Sequence, residues 1–249
     1  MPPRRSPLTR IVHRLLINVR DFIYPPLCIV CDEPLDGADP WLCGGCRGKL
    51  RRNHAQRDAC PLCGENRSRR PCACDLVWDH PFQRICALFD FDDTVRAIAH
   101  QVKYKGRSAL ARHVARTHAP LIPPDVFAGV DVVVPVPLYC VRRLKRGYNQ
   151  AEVIARGILE GLGGSIACDT RILRRRRHTT TQTKLDREQR RKNLDGAFVV
   201  AAGTAERLAG KTIALVDDVV TTGSTTSVCT EVLLGAGAAA VRVVALARG

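Results

Sequence analysis

The stretch Ile213-Ala214-Leu215-Val216-Asp217-Asp218-Val219-Val220-Thr221-Thr222-Gly223-Ser224-Thr225 reads as a buried strand, two adjacent carboxylates, and a hydroxyl-rich turn that opens a helix. Residues 213–216 are wholly apolar, as a strand covered on both faces of a parallel sheet requires. A helix is predicted over 224–234, stopped by Gly235 and Gly237, with a last strand over 240–247. Strand, helix, strand in that order is a βαβ unit, and ligands of such sheets sit at the carboxyl ends of the strands. The turn suits an anion: Thr221, Thr222, Ser224 and Thr225 offer hydroxyls, the following helix presents backbone N–H groups, and Gly223 permits close backbone approach. Asp217 and Asp218 would repel that anion, so they are expected to face hydrogen-bond donors such as the vicinal hydroxyls of a sugar. The segment points to a phosphorylated ribose.

Two glycine patterns nearby point elsewhere and fail. Gly210-Lys211-Thr212 has the ending of a phosphate-binding loop, but Ala205 stands where that motif needs glycine, and a strand follows. Gly235-Ala236-Gly237 follows a helix and reads as its terminus.

Upstream, residues 85–89 form a short apolar run, Asp93 can cap a helix reaching 104, and 107–118 continues helically after Gly106. Residues 130–136 are almost entirely apolar and β-branched, the signature of a central strand, and 147–162 reads as a helix. Residues 81–249 are therefore expected to form an α/β domain, a mostly parallel sheet with helices on both faces.

Eight of the 12 cysteines fall between Cys28 and Cys74. Cys28 and Cys31, then Cys43 and Cys46, make two C-x-x-C pairs separated by eleven residues, enough for a short hairpin and matched to tetrahedral zinc. A second set is Cys60, Cys63, Cys72 and Cys74, whose last pair is the tighter C-x-C. Two ribbons paired in order is the simple arrangement, and a cross-braced pairing of the same eight thiolates is the alternative. Disulfides are disfavoured in a chain expected to be cytoplasmic, and no βαβ context marks a redox pair. Four thiolates close the coordination sphere, so the metal is expected to be structural and to fold a module over 27–80. Cys86, Cys140, Cys168 and Cys229 lie singly in apolar or small-residue settings and read as core cysteines.

The formal net charge of +15 is concentrated. Residues 171–192 hold ten basic side chains against Asp186 and Glu188, and residues 1–20 add five arginines with no acid. In residues 1–26, Leu8, Ile11, Val12, Leu15, Leu16, Val19, Phe22 and Ile23 recur at helical spacing, giving a basic amphipathic helix that docks on the rest of the protein or touches an anionic surface. Its arginines and the lack of a small-residue cleavage site argue against a secretory signal, and no apolar run approaches the roughly 18 residues of a membrane span.

Taken in order, Val134-Pro135-Val136-Pro137-Leu138, then Arg142-Arg143-Leu144-Lys145-Arg146-Gly147-Tyr148-Asn149-Gln150, then Thr179, Gln182, Leu185, Arg190, Asn193 and Ala197-Phe198, and finally the acid-acid turn, follow the cysteine-rich module. The acid-acid segment closely resembles the phosphoribosyl-pyrophosphate (PRPP) binding motif of type I phosphoribosyltransferases. The whole array, from Tyr24 onward, is similar to the ComF family, departing from its pattern at the short Cys72-x-Cys74 pair.

That resemblance implies roles. Asp217 and Asp218 would hold the ribose hydroxyls, and Thr221, Thr222, Gly223, Ser224 and Thr225 the 5′-phosphate. Arg142 and Arg143, on the loop after the 132–136 strand, would contact pyrophosphate, making these two and the acids the catalytic candidates. Mg²⁺ would accompany PRPP, zinc the cysteines. Arg174, Arg175, Arg176 and Arg177 stand where such enzymes carry a mobile loop, and the competence link of the family suggests single-stranded DNA and other competence proteins as partners. Lys103 is a weaker candidate, more simply a solvated helix residue. Stacking on single strands needs aromatics, yet only Phe198 follows Tyr148, so DNA contact is expected to be chiefly with the backbone. A PRPP-dependent transferase and a non-catalytic DNA-binding scaffold are the two readings. No recognisable base-binding pattern names the acceptor.

Overall fold

A computed structural model describes residues 25–52, 59–68, 72, 74, 80–177 and 194–249. The amphipathic helix expected in residues 1–26 lies outside them. The chain divides into two compact units between Arg51 and Arg52, and the division falls between the two cysteine quartets.

In the first unit, Cys28 N–H donates to Glu33 O at 2.8 Å and Asp32 N–H to Cys28 O at 3.0 Å, closing a tight knuckle. Leu27 and Pro34 bridge antiparallel at its base. Asp39 accepts from the backbone N–H groups of Trp41 and Leu42, and helix α1 (Gly44–Arg52) then starts just after Cys43. The two C-x-x-C pairs thus sit on a turn and a helix start.

The second unit is built on a five-stranded sheet in the order β1-β7-β6-β2-β3, every pairing parallel: β1 (Ile85–Asp90), β2 (Val132–Pro135), β3 (Ala167–Cys168), β6 (Thr212–Val220) and β7 (Ala240–Arg248). β4 (Leu173–Arg175) and β5 (Phe198–Val200) form a separate antiparallel ribbon. Among the described residues its α-helices are α2 (Asp93–Tyr104), α3 (Ser108–His118), α4 (Pro124–Phe127), α5 (Cys140–Arg146), α6 (Gln150–Gly161) and α7 (Ser224–Gly235).

Alternation along each strand sorts the core into two faces. Ile85, Ala87, Val134, Ile213, Leu215, Val243 and Ala245 join one buried cluster with Cys229 and Leu233 of α7 and Phe198 of β5. The intervening residues Cys86, Leu88, Val133, Ala214, Val216 and Val244 are equally buried, on the side of the sheet where α6 packs against β2 and β6. Helices therefore cover both faces, as the continuous apolar strands require. α6 lies close against α3 because Gly157 has no side chain: a Cβ there would meet Arg112 O at 2.6 Å.

Several boundaries differ from the sequence expectation. Asp92, not Asp93, caps α2, its Oδ1 accepting from Val95 N–H at 2.9 Å. The helix expected over 147–162 is α6, which starts at Gln150 behind its Asn149 cap, and a separate helix, α5, ends just before it where Gly147 turns the chain at φ +79°. Arg142 and Arg143 accordingly lie on a helix rather than a loop. Of the four single cysteines, Cys86 and Cys229 are buried, Cys168 is half-buried and Cys140 is exposed, because α5 buries none of its residues.

Candidate functional site

β6 does not stop at the acids. β7 runs beside it, pairing Asp217 with Ala245 and Val220 with Arg248, so both carboxylates belong to the strand and successive side chains leave in opposite directions. Backbone donors steady them: Asp218 N–H to Asp217 Oδ1 and Val219 N–H to Asp218 Oδ1, each at 2.8 Å. Lys103 Nζ lies 2.7 Å from Asp218 Oδ2, so the lysine weighed as a solvated residue is part of the site. Nothing local in α2 marks it. Only the strand order, with β7 alone between β1 and β6, brings the helix that follows β1 to the acid pair.

Burial, together with the neighbouring Asp218 charge, pushes the Asp217 carboxyl up to about 7, against the opposing pull of Lys103. Asp217, with the Asp218 N–H as its donor, has room for more, as a group that receives a sugar hydroxyl or a cation would.

The turn after β6 is compact. Gly223 has φ +75°, and Ser227 N–H donates to its carbonyl at 2.8 Å, while Thr226 Oγ1 donates to the same carbonyl at 2.9 Å. Thr222 Oγ1 and Ser224 Oγ share a hydrogen bond of 2.8 Å. Thr221 is exposed, Thr222 and Thr225 are half-buried, and Gly223 and Ser224 are buried. The five residues thus wrap the N-terminus of α7, a place that favours negative charge.

Sequence reasoning missed His80. Its Nδ1 is 3.0 Å from Ser227 Oγ, its ring stacks on Phe82 at 4.8 Å, and its Cε1 lies 3.2 Å from where a Cβ on Gly223 would stand. It walls the turn from a distance of more than 140 residues in sequence, for which no local pattern exists.

The arginines separate. Arg174 and Arg175 are in β4 rather than a mobile loop, and β5 pairing is what orders them. The Arg175 guanidinium lies 5.1 Å from the Phe198 ring centroid. Burial, then the like charge of Arg142, holds its pKa below the usual arginine range, with Asp217 pulling the other way, so Arg175, Arg142 and Asp217 share one electrostatic neighbourhood. Arg174, Arg176 and Arg177 are exposed, and Arg177 Nη1 donates to Asp195 O at 3.0 Å. Thr179, Gln182, Leu185, Arg190 and Asn193 lie outside the described residues. In the Arg-Gly-Tyr-Asn-Gln string, much is structural: Tyr148 Oη donates to Val102 O, Asn149 Nδ2 to Val136 O at 2.9 Å, and Arg146 Nη1 to Gln150 Oε1 at 3.1 Å.

The cysteines pair in order. The four Sγ atoms of Cys28, Cys31, Cys43 and Cys46 all lie within 4.8 Å of one another, as do those of Cys60, Cys63, Cys72 and Cys74. Cys31 is 3.5 Å from both Cys43 and Cys46, near the S···S separation of about 3.8 Å that a tetrahedron with Zn–S of about 2.3 Å sets. Both quartets could hold zinc, the short C-x-C spacing included. Although burial opposes it, backbone N–H donors hold Cys28 down to about 7, and Cys60 is held at about 7 in the same way.

The second quartet is fastened to the sheet. Ile85 N–H donates to Leu62 O at 2.6 Å and Asn66 Nδ2 to Asp90 Oδ2 at 3.0 Å. Arg248 Nε donates to Cys63 O at 3.2 Å and lies 3.4 Å from Glu65 Oε2, while its Nη1 donates to Val220 O at 3.1 Å, one residue before the turn.

No protein-family model matches the chain. The DNA utilization protein YhgH of Salmonella typhi is 32% identical over 234 residues, covering 90% of this chain and 97% of its own. Competence protein F of Haemophilus influenzae is 29% identical over 237 residues, covering 89% and 96%. Competence protein ComFC of Bacillus subtilis is 24% identical over 245 residues, covering 88% and 92%.

Proposed function

The chain belongs to the ComF family, and on that premise we propose that it binds PRPP at the carboxyl end of β6 and transfers phosphoribose to a nitrogenous base or amine. The observation that carries this reading is the convergence of Asp217, Asp218 and Lys103 beside the turn at the start of α7. Ribose hydroxyls donate to Asp217 and Asp218. The 5′-phosphate takes the N–H groups and hydroxyls of Thr221, Thr222, Gly223, Ser224 and Thr225, with His80 behind Gly223. Arg142 and Arg175 supply positive charge where pyrophosphate departs. The acceptor nitrogen bonds to the anomeric carbon as the bond to pyrophosphate oxygen breaks, the electron pair leaves with pyrophosphate, and the acceptor gives its proton to solvent. Mg²⁺, bound with PRPP, would neutralise the leaving group. Because ionised Asp217 is the better acceptor, PRPP affinity should rise as pH passes through about 7.

Each cysteine quartet holds one structural Zn²⁺ in this reading. Among the described residues no helix is long and apolar enough to cross a membrane. The free thiols of the two quartets suit a reducing compartment, and on that ground we assign the activity to the cytoplasm.

Pyrophosphate release from PRPP and Mg²⁺ across a panel of bases and amines tests the transferase. Release that depends on one acceptor supports it. PRPP binding without release from any acceptor moves the protein to the second reading, a competence accessory protein that binds single-stranded DNA on a PRPP-sensing scaffold. The names of its relatives and the cations of α5 favour that DNA role, with other competence proteins as further partners. The two roles are compatible.

A further inference from the structure

α5 is a helix that buries nothing. Val141 is 56% and Leu144 83% exposed, and Arg142, Arg143, Lys145 and Arg146 crowd the same seven residues. Beside it, at the end of α2, Tyr104 is 68% exposed. The Arg146 guanidinium lies 6.0 Å from its ring centroid and the His100 ring 5.0 Å away. An aromatic ring left in solvent next to a guanidinium has no role in the core. It has the makings of a stacking platform, since a planar guanidinium and a phenol can each cover a face of a nucleobase.

We infer that Tyr104 and Arg146 form a stacking subsite for a base of single-stranded DNA, with α5 neutralising the adjoining phosphates. This rests on the DNA-binding reading above and deepens it: to the contact chiefly with the backbone, expected from the scarcity of aromatics after Tyr148, it adds one base-stacking position. Charge selects the occupant. A second copy of the chain docking two-fold on this face would bring four cations against four, whereas a polyanion with exposed aromatic rings meets both halves of the surface. Tyr104 follows Lys103, so the strand would pass the rim of the acid-pair site.

The test is fluorescence of a single-stranded oligonucleotide carrying 2-aminopurine, titrated with the full chain over a range of salt. Wild type should quench the base and bind with a steep salt dependence. Tyr104→Ala should weaken binding roughly 5- to 150-fold and lose the quench while keeping the salt slope, and Tyr104→Phe should retain both. Lys145→Ala should instead lower the slope by about 0.7 and keep the quench. Wild-type binding that Tyr104→Ala leaves unchanged overturns the platform and leaves the DNA reading standing. Absence of wild-type binding overturns both. Loss in Tyr104→Ala of base-dependent pyrophosphate release alone, with strand binding intact, assigns the ring to a free acceptor base and also overturns the inference.

Discussion

The two cysteine knuckles are one turn built twice. In each, the first cysteine's N–H donates to a glutamate carbonyl five residues on, Cys28 to Glu33 and Cys60 to Glu65, both at 2.8 Å. In each, the residue after the second cysteine has positive φ, Asp32 at +58° and Gly64 at +68°, and its N–H closes on the first cysteine's carbonyl. The difference lies in what surrounds that residue. A Cβ on Gly64 would stand 2.9 Å from Ile85 O, because the second knuckle is packed on the first strand of the sheet. Turn geometry alone tolerates Asp; contact with a strand demands glycine. The first knuckle is therefore a module within its own unit, and the second is a brace on the strands that carry the candidate site.

The strongest way to break this contrast is to remove each metal site in turn. Cys60→Ser with Cys63→Ser should lower the thermal midpoint by roughly 10 °C and weaken PRPP binding, because the ends of β1 and β7 lose their brace. Cys28→Ser with Cys31→Ser should lose one zinc and leave PRPP affinity unchanged, read by metal content and calorimetry on the same samples. Equal effects of the two pairs on PRPP would dissolve the distinction.

Gly64→Ala comes next, with an expected destabilisation of about 2–4 kcal/mol from the clash and the positive φ together, measured by denaturant unfolding. Arg248→Met sharpens the mechanism of bracing. It removes the side-chain donor to Cys63 O and the ion pair with Glu65, while Val220 O keeps the Gly249 N–H at 2.9 Å, and should cost about 1–3 kcal/mol with a measurable loss of PRPP affinity. The smallest effect belongs to Asp32→Gly, within about 0.5 kcal/mol, because relief of the positive φ is offset by a more flexible unfolded chain.

Strand and helix order in the α/β domain was legible because residues 130–136 and 213–216 are apolar throughout and the turn after the acids combines hydroxyls with a glycine. The quartets were legible from spacing, but their different attachments were not, since nothing beside Gly64 in the sequence shows that Ile85 O lies 2.9 Å from where its Cβ would stand. Lys103 and His80 were illegible for the same reason: each reaches the site through strand order, with no neighbouring residue to announce it. For Arg142 and Arg143 the local conformation differs from the expectation. The resemblance placed these cations on a loop, while Gly147 and the Asn149 cap show that a short helix ends there before α6 begins.

The most direct test of the account is calorimetric titration of the full chain with PRPP and Mg²⁺, repeated on Asp217→Asn with Asp218→Asn. Saturable 1:1 binding by the wild type, lost in the double variant while its zinc content and thermal midpoint are retained, is the predicted result. No heat of binding with the wild type, or the same affinity in the double variant, would contradict it.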